Sequence, residues 1–106
     1  MANSEIKYAA ISGATSGDNT LVAAVTGKKI RVMALAVQAT VAVGFRLEDG
    51  AGGTALTGVM ELPVSAPFVL PFNPVGWCET SAATLLNMEL DAATQVSGLL
   101  TYTEVE

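Results

Sequence analysis

The stretch that decides the fold is Lys29-Ile30-Arg31-Val32-Met33-Ala34-Leu35-Ala36-Val37-Gln38-Ala39. Six apolar residues follow Arg31 without interruption, so both alternating sets of side chains are apolar. Successive side chains of a strand point to opposite faces, and a strand that is apolar on both faces is normally covered on both. Periodicity alone would also allow a buried helix, but the β-branched residues and the preceding Gly27 favour a strand. We therefore predict a central strand over Lys29–Ala39 that is covered on both faces.

The segments around this run are short and predict further strands. The predicted strands cover residues 5–12, 20–26, 40–48, 54–62, 85–92 and 95–105. Gly27 and Lys28 predict a tight hairpin between the second strand and the central one. Gly58 predicts a bulge within its strand, because an interior glycine weakens a ladder. Residues 81–90 are the one place where alanines and leucines would also permit a turn or two of helix.

About eight short strands with turns every ~8–12 residues, and no alternating helices, indicate an antiparallel fold of two packed sheets. We predict an all-β, jelly-roll-like sandwich. An immunoglobulin-like sandwich is the nearest rival, but the Cys…Trp…Cys spacing typical of antibody domains is absent. The length of 106 residues predicts a single domain, residues 1–106.

The composition limits the classes of partner. Only 14% of the residues are charged, against a usual value of about 25%, so we expect part of the surface to be covered by copies of the chain or by a partner. The net charge is −5 and the five Lys and Arg residues are scattered, which argues against nucleic acid. No apolar run approaches the ~20 residues that span a bilayer, so we expect no membrane segment. Residues 1–7 show no secretory leader, so we expect the chain to stay in the cytoplasm of the cell that makes it.

Few residues suggest catalysis or metal binding. There is no histidine and only one cysteine, Cys78, which we interpret as a small buried apolar residue. Two acidic pairs, Glu48 with Asp49 and Glu89 with Asp91, could be imagined as acid and base, but we interpret them as solvated carboxylates. We expect no cofactor, no metal site and no enzymatic activity.

A proline-rich segment is the one candidate binding site. All four prolines fall within residues 63–74, so this segment is predicted to be an edge strand or extended coil. Three of the six aromatic residues lie in or next to it. They either close one end of the core or contact a partner. The candidate contact residues are Phe68, Pro71, Phe72, Pro74 and Trp77.

Several phrases of the sequence together carry a family resemblance. They are residues 16–25 (SGDNTLVAAV), 27–32 (GKKIRV), 52–58 (GGTALTG), 70–77 (LPFNPVGW), 86–90 (LNMEL) and 95–102 (QVSGLLTY). In these phrases the chain resembles small proteins, of about this length, that are encoded among the structural genes of tailed bacteriophages and prophages. The resemblance extends over most of the chain.

The resemblance implies a virion protein of the decoration or cement type, which binds the outer surface of the capsid. It further implies the major capsid protein as partner, a homotrimer as the oligomeric state and the virion as the location. One alternative is a tail, neck or fibre module that binds another virion part or a host glycan. A small hydrolase is a second alternative, which the absence of histidine disfavours.

Overall fold

The strands follow the two-residue alternation of the sequence. The computed structural model describes residues 5–106. The expectation of no secretory leader was based on residues 1–7, and the first four of these lie outside the described residues. Within the described residues every regular element is a strand, and no helix is long or apolar enough to span a membrane. The elements are β1 (Ile6–Gly13), β2 (Gly17–Val22), β3 (Lys29–Ala39), β4 (Val43–Asp49), β5 (Thr54–Ala55), β6 (Met60–Leu62), β7 (Phe68–Leu70), β8 (Cys78–Glu79), β9 (Leu86–Leu90) and β10 (Val96–Val105).

The strands form two five-stranded antiparallel sheets. The front sheet has the order β1-β10-β3-β7, and β8 also pairs with β3. The back sheet has the order β2-β9-β4-β5, and β6 also pairs with β4. If β5 with β6 and β7 with β8 are each taken as one broken edge strand, eight strands remain in the order of a jelly roll. The predicted all-β, jelly-roll-like sandwich is confirmed.

The core lies between the two sheets. The front sheet contributes buried side chains such as Val32 and Leu35, and the back sheet contributes Phe45, Leu47 and Met88. Each is at most 3% exposed. Burying one such side chain contributes roughly 1.5–3 kcal/mol, so this layer is the main source of stability for a chain with few charges.

The central strand β3 lies in the middle of its sheet, but it is covered on one face only. Its partner β10 shifts register between Thr101, opposite Ala34, and Tyr102, opposite Val32. Met33 is therefore an extra residue, a β-bulge that exchanges the two faces of the strand. Before the bulge, the even-numbered residues Ile30 and Val32 point into the core. After it, the odd-numbered residues point into the core, and Ala34 and Ala36 are half-exposed on the outer face. The prediction that β3 is covered on both faces was wrong. Its apolar run is unbroken because the bulge changes which alternate residues face the core.

The predicted hairpin at Gly27 and Lys28 was also wrong. A turn is present, because the Lys28 N–H donates to the Val25 carbonyl oxygen at 3.0 Å. The strands that flank it belong to different sheets, however, since β2 pairs with β9 and β3 pairs with β10. The turn is therefore a corner at which the chain crosses from the back sheet to the front sheet.

The edges of both sheets are broken. The strand predicted over residues 54–62 is two short strands, β5 and β6, and Gly58 lies in the gap between them rather than in a bulge. The proline-rich segment forms only the three-residue β7 and otherwise runs as irregular chain, as predicted. Residues 81–90 form no helix and end in β9. Ten strands are observed against about eight predicted, because the strand over residues 54–62 is split in two and the short β8 follows the proline-rich segment.

Candidate functional site

The structure separates the predicted contact residues into two groups. Phe68 points into the sandwich, where its ring meets that of Phe45 edge to face with centroids 5.8 Å apart. Phe72 and Trp77 remain exposed, by 56% and 44%. The two prolines among the predicted contacts, Pro71 and Pro74, are exposed as well. Residues 71–77, which we call the aromatic loop, therefore present apolar surface to solvent, whereas Phe68 belongs to the core.

The backbone of the aromatic loop is held against β3. The Asn73 N–H donates to the Met33 carbonyl oxygen (2.9 Å), and the Trp77 N–H donates to the Val32 carbonyl oxygen (2.8 Å). The indole Nε1 of Trp77 donates to the Pro71 carbonyl oxygen at 2.8 Å, which bridges the two ends of the loop. Together with the fixed φ of its prolines, these bonds order the loop before any partner arrives. A binding surface ordered in advance loses little conformational entropy on association.

The thiol of Cys78 lies directly after the aromatic loop and is half-buried against the core. Burial, with a smaller contribution from the neighbouring Glu79 carboxylate, raises the pKa of Cys78 to about 11. The thiolate is the reactive species. The Cys78 thiol is therefore a poor nucleophile at neutral pH.

We expect Cys78 to react slowly with iodoacetamide in the native protein. At pH 8 a pKa of about 11 leaves roughly a hundredfold less thiolate than the ordinary value of the group. The rate of carboxamidomethylation, followed by mass spectrometry, should rise about a hundredfold when the chain is unfolded in guanidinium chloride. Equal rates in the folded and unfolded protein would contradict the protected environment.

The outer face of the back sheet carries a charge network. Arg46 donates from Nε to Glu48 Oε2 (2.7 Å) and from Nη2 to Glu89 Oε1 (2.8 Å). Arg46 and Glu89 are cross-strand partners, whereas Glu48 is two residues further along β4 on the same face. A single guanidinium therefore lies between two carboxylates.

A glycine-rich loop closes over part of this network. Asn87 is fully buried and donates from Nδ2 to Glu48 Oε1 and to Asp18 Oδ1, both at 2.9 Å. The same Asp18 oxygen accepts the N–H of Gly52 at 3.1 Å, which ties the β4–β5 loop to β2. Gly50 and Gly52 have φ of +88° and +66°, a conformation that glycine adopts without strain. Asn87 Oδ1 has no hydrogen-bond partner among the described residues.

The acidic residues of the network differ from the solvated carboxylates predicted from sequence. Burial would raise the pKa of Glu48, but its hydrogen bonds with Glu89, Arg46 and Asn87 more than offset this, so the pKa is lowered. The hydrogen bond with Glu48, followed by burial, raises the pKa of Glu89. The interpretation of Glu48 as a solvated loop-entry carboxylate was wrong, because its side chain is fully buried. The ion pair between Arg46 and Glu48 could have been found from the sequence, because the two residues share one strand face; the burial of Glu48 could not.

A shallow depression of about 190 Å³ borders the network. Its lining includes Gly44, Arg46, Val59, Glu89 and Asp91. The exposed aromatic side chains Tyr8, Phe72 and Trp77 do not line it, although such rings are the usual platform for a sugar. Among residues 5–106, no three His, Cys, Asp or Glu side chains are grouped so that they could hold a metal ion.

The fold and its surfaces define an antiparallel jelly-roll sandwich with one ordered, exposed aromatic loop. No family model matches the chain, and no curated protein matches it. One structural likeness is to a chain in the structure of infectious bursal disease virus, Gx strain, with 18% identity and a TM-score of 0.38. The likeness covers 92% of this chain, which spans about a third (32%) of that chain's length. At this level the likeness carries no argument about function.

Proposed function

We propose that this chain is a bacteriophage capsid decoration protein, which binds the outer surface of the shell through the aromatic loop and has no enzymatic activity. The proposal begins from the resemblance carried by phrases such as residues 70–77, which include the whole loop. The proposed partner is the major capsid protein, and the proposed location is the surface of the virion. The proposal includes self-association, for which the resemblance implies three copies.

The observation that carries the proposal is the exposure of the aromatic loop combined with its order. Val75 is 77% exposed, and Phe72 and Trp77 are each at least 44% exposed. Apolar side chains held out in water by a hydrogen-bonded loop add nothing to the core, whereas they suit the centre of an interface, where aromatic residues carry much of the binding energy. The jelly roll supports a virion role only as an analogy, because viral capsid domains use this fold among many others.

The amount of the chain in particles tests the proposal. We expect purified virions of the phage that encodes the chain to contain it in amounts comparable with the major capsid protein, as measured on stained gels. Particles without it should also bind the purified chain until the same ratio is reached. A few copies per particle would contradict a decoration role and would favour the tail, neck or fibre alternative.

Replacing Trp77 by alanine tests the contact itself. We expect binding to particles to weaken by about 2 kcal/mol, or roughly thirtyfold, which is typical of an interface residue that carries much of the energy. Because the ring is 44% exposed, the melting temperature of the free chain should change little. The matched control is Val59→Ala. Val59 is 55% exposed and lies on the side of the back sheet, so its truncation should leave binding unchanged. Normal binding with a sharply lowered melting temperature would place Trp77 in the core instead.

A further inference from the structure

The aromatic loop is an excursion from the edge of the front sheet. β7 pairs with β3 as far as Leu70, and β8 resumes the pairing at Cys78. Between these two points β3 has only Met33 and Ala34, so the whole loop lies outside the regular ladder. Backbone that lies outside a ladder keeps one direction only where other contacts support it.

The returning part of the loop rests on the side chain of Arg31. Gly76, directly before Trp77, has a φ of +94°. A Cβ atom added to Gly76 would lie 2.5 Å from Cγ and 2.7 Å from Cδ of Arg31, whereas carbon atoms in contact are about 3.5–4.0 Å apart. The backbone at Gly76 therefore lies directly against the methylene groups of Arg31, and a glycine is needed for this close approach.

The side chain of Arg31 is itself fixed at its far end. Its Nε donates to Glu79 Oε1 at 2.9 Å, and the two residues are cross-strand partners in β3 and β8. The second carboxylate oxygen of Glu79 lies 3.8 Å from Lys29 Nζ, which also holds the carboxylate in place. Because Cγ and Cδ of Arg31 lie between a backbone fixed in β3 and an Nε fixed by Glu79, they cannot turn away from Gly76 unless the ion pair breaks.

The ion pair contributes little to the sandwich as a whole. The side chains of Arg31 and Glu79 are 33% and 36% exposed, and ion pairs this exposed add little to folding stability. Arg31 also lies on the outer face of β3, because its neighbours Ile30 and Val32 point into the core. The stem of Arg31 therefore supports the aromatic loop and not the core.

The close contact at Gly76 is not a general property of turns in this chain. Gly17, Gly27 and Gly52 also have positive φ, yet an added Cβ atom at each would have no atom within 4 Å. Among the described residues, Gly76 is the one positive-φ glycine whose added Cβ would come closer than 3.0 Å to another atom. The contact between Gly76 and Arg31 is thus specific to the loop that carries Trp77.

We propose that Arg31 is a positioning residue of the aromatic loop: its stem, fixed by Glu79, supports the backbone at Gly76 and so sets the direction in which Trp77 meets a partner. The meeting with a partner rests on the proposed function, whereas the support of the loop is a property of the free chain. If only a fraction of the molecules hold the loop in the binding direction, the apparent affinity falls by that fraction. Loss of the support should therefore weaken binding although every residue of the loop is still present.

Fluorescence of the purified chain measures the support directly, because Trp77 is the only tryptophan. Arg31→Ala should increase the quenching of Trp77 by acrylamide, because Trp77 is only 44% exposed while the loop is supported. The same variant should bind particles about tenfold more weakly, as expected if about a tenth of the molecules keep the binding direction. Arg31→Lys keeps the methylene groups and a cation within reach of Glu79, so it should restore both properties to within about twofold of the original chain.

The matched control for Arg31→Ala is Lys7→Ala. It breaks another exposed ion pair of the front sheet, between Lys7 Nζ and Glu104 at 3.4 Å, and it should change neither the quenching of Trp77 nor the binding to particles. An equal effect of Lys7→Ala would show that Trp77 responds to any lost charge, which would overturn the positioning role of Arg31.

A second set of variants tests the contact between Arg31 and Gly76. Gly76→Ala should increase the quenching of Trp77 and weaken binding about tenfold, because the added Cβ displaces the loop. Gly17→Ala is the matched control, since it imposes the same strain at a φ of +92° but in open space, and it should leave Trp77 unchanged. In a chain that already carries Arg31→Ala, Gly76→Ala should have a smaller effect than it has alone, because the overlapping atoms are gone.

Circular dichroism would confirm that each variant is folded, and the Arg31 variants decide the outcome even if Gly76→Ala does not fold. Unchanged Trp77 quenching in Arg31→Ala, or equal effects of Gly76→Ala with and without Arg31, would overturn the positioning role and leave the proposed particle contact intact. Increased quenching in Arg31→Ala, with particle binding that neither this variant nor Trp77→Ala weakens, would support the positioning of the loop and contradict the proposed contact.

Discussion

Asn87→Asp, which exchanges the side-chain amide nitrogen for an oxygen, should strongly destabilise the chain. The substitution removes the amide that donates 2.9 Å hydrogen bonds to both Glu48 and Asp18, and it adds a carboxylate in their place. Asn87 is fully buried, so the new charge has no water and only one nearby guanidinium, that of Arg46. An uncompensated buried charge costs about 3–5 kcal/mol, a large part of the ~5–15 kcal/mol that keeps a small domain folded.

The effect should depend on pH in a known direction. Glu48 already raises the pKa of Glu89, so the network resists further negative charge. The introduced carboxyl should likewise have a folded pKa above its unfolded value of about 4. The protonated carboxyl can restore at most one of the two donated hydrogen bonds, so part of the loss is present at every pH. The larger part, due to the charge, appears only on ionisation, so the loss should grow as the pH rises through and above the unfolded pKa. Urea unfolding at a series of pH values should show the two chains approaching each other in stability toward acid pH.

Asn73→Asp is the matched control for the same exchange. Asn73 uses its side-chain oxygen to accept the Val75 N–H at 3.0 Å, and an aspartate oxygen accepts that bond equally well. We expect a change within about 0.5 kcal/mol, as for most surface substitutions. If Asn87→Asp were as mild as Asn73→Asp at neutral pH, the amide would not be holding the two carboxylates together.

The hydrophobic alternation was sufficient to predict the sandwich, but not how the strands are joined. Alternation in residues 43–49 and 86–90 shows which side chains face a core, and the number of strands favours a jelly roll. A glycine turn, in contrast, has the same sequence whether it closes a hairpin or crosses between sheets. The bulge at Met33 was equally invisible, because an apolar residue fits either face at the point where parity changes.

Those features of the candidate sites that depend on neighbouring residues could be predicted from the sequence, whereas those that depend on distant residues could not. Exposure of Phe72 and Trp77 follows from a proline-rich segment that cannot pair fully within a sheet. The inward direction of Phe68 could have been found from the alternation of β7, in which Phe68 and Leu70 share a face and Val69 points out. Burial of Glu48 could not, because its partner Asn87 lies 39 residues away. Long-range pairing of polar groups leaves almost no pattern in a single sequence.

Gly98→Ala should be severely destabilising for a reason that its sequence position does not reveal. Alternation places Gly98 on the inner face of β10, where a larger side chain would be expected to pack well. The structure shows instead that a Cβ atom at this position would overlap the carbonyl oxygen of Ala36. That contact is with backbone of the neighbouring strand, which cannot rotate away as a side chain can. The β10–β3 ladder, the centre of the front sheet, would have to open.

We expect Gly98→Ala to lower the free energy of unfolding by about 3 kcal/mol or more, since overpacking against a rigid neighbour costs at least as much as it does against a side chain. The same exchange at Gly58 is the control, because an added Cβ there has no atom within 4 Å and the backbone needs no positive φ. Gly58→Ala should be neutral or slightly stabilising, through the reduced entropy of the unfolded chain. The denaturant midpoint should therefore fall for Gly98→Ala and stay the same or rise slightly for Gly58→Ala, each relative to the original chain. A Gly98→Ala protein with an unchanged midpoint would show that β10 and β3 do not approach as closely at Ala36 as the register of the sheet implies.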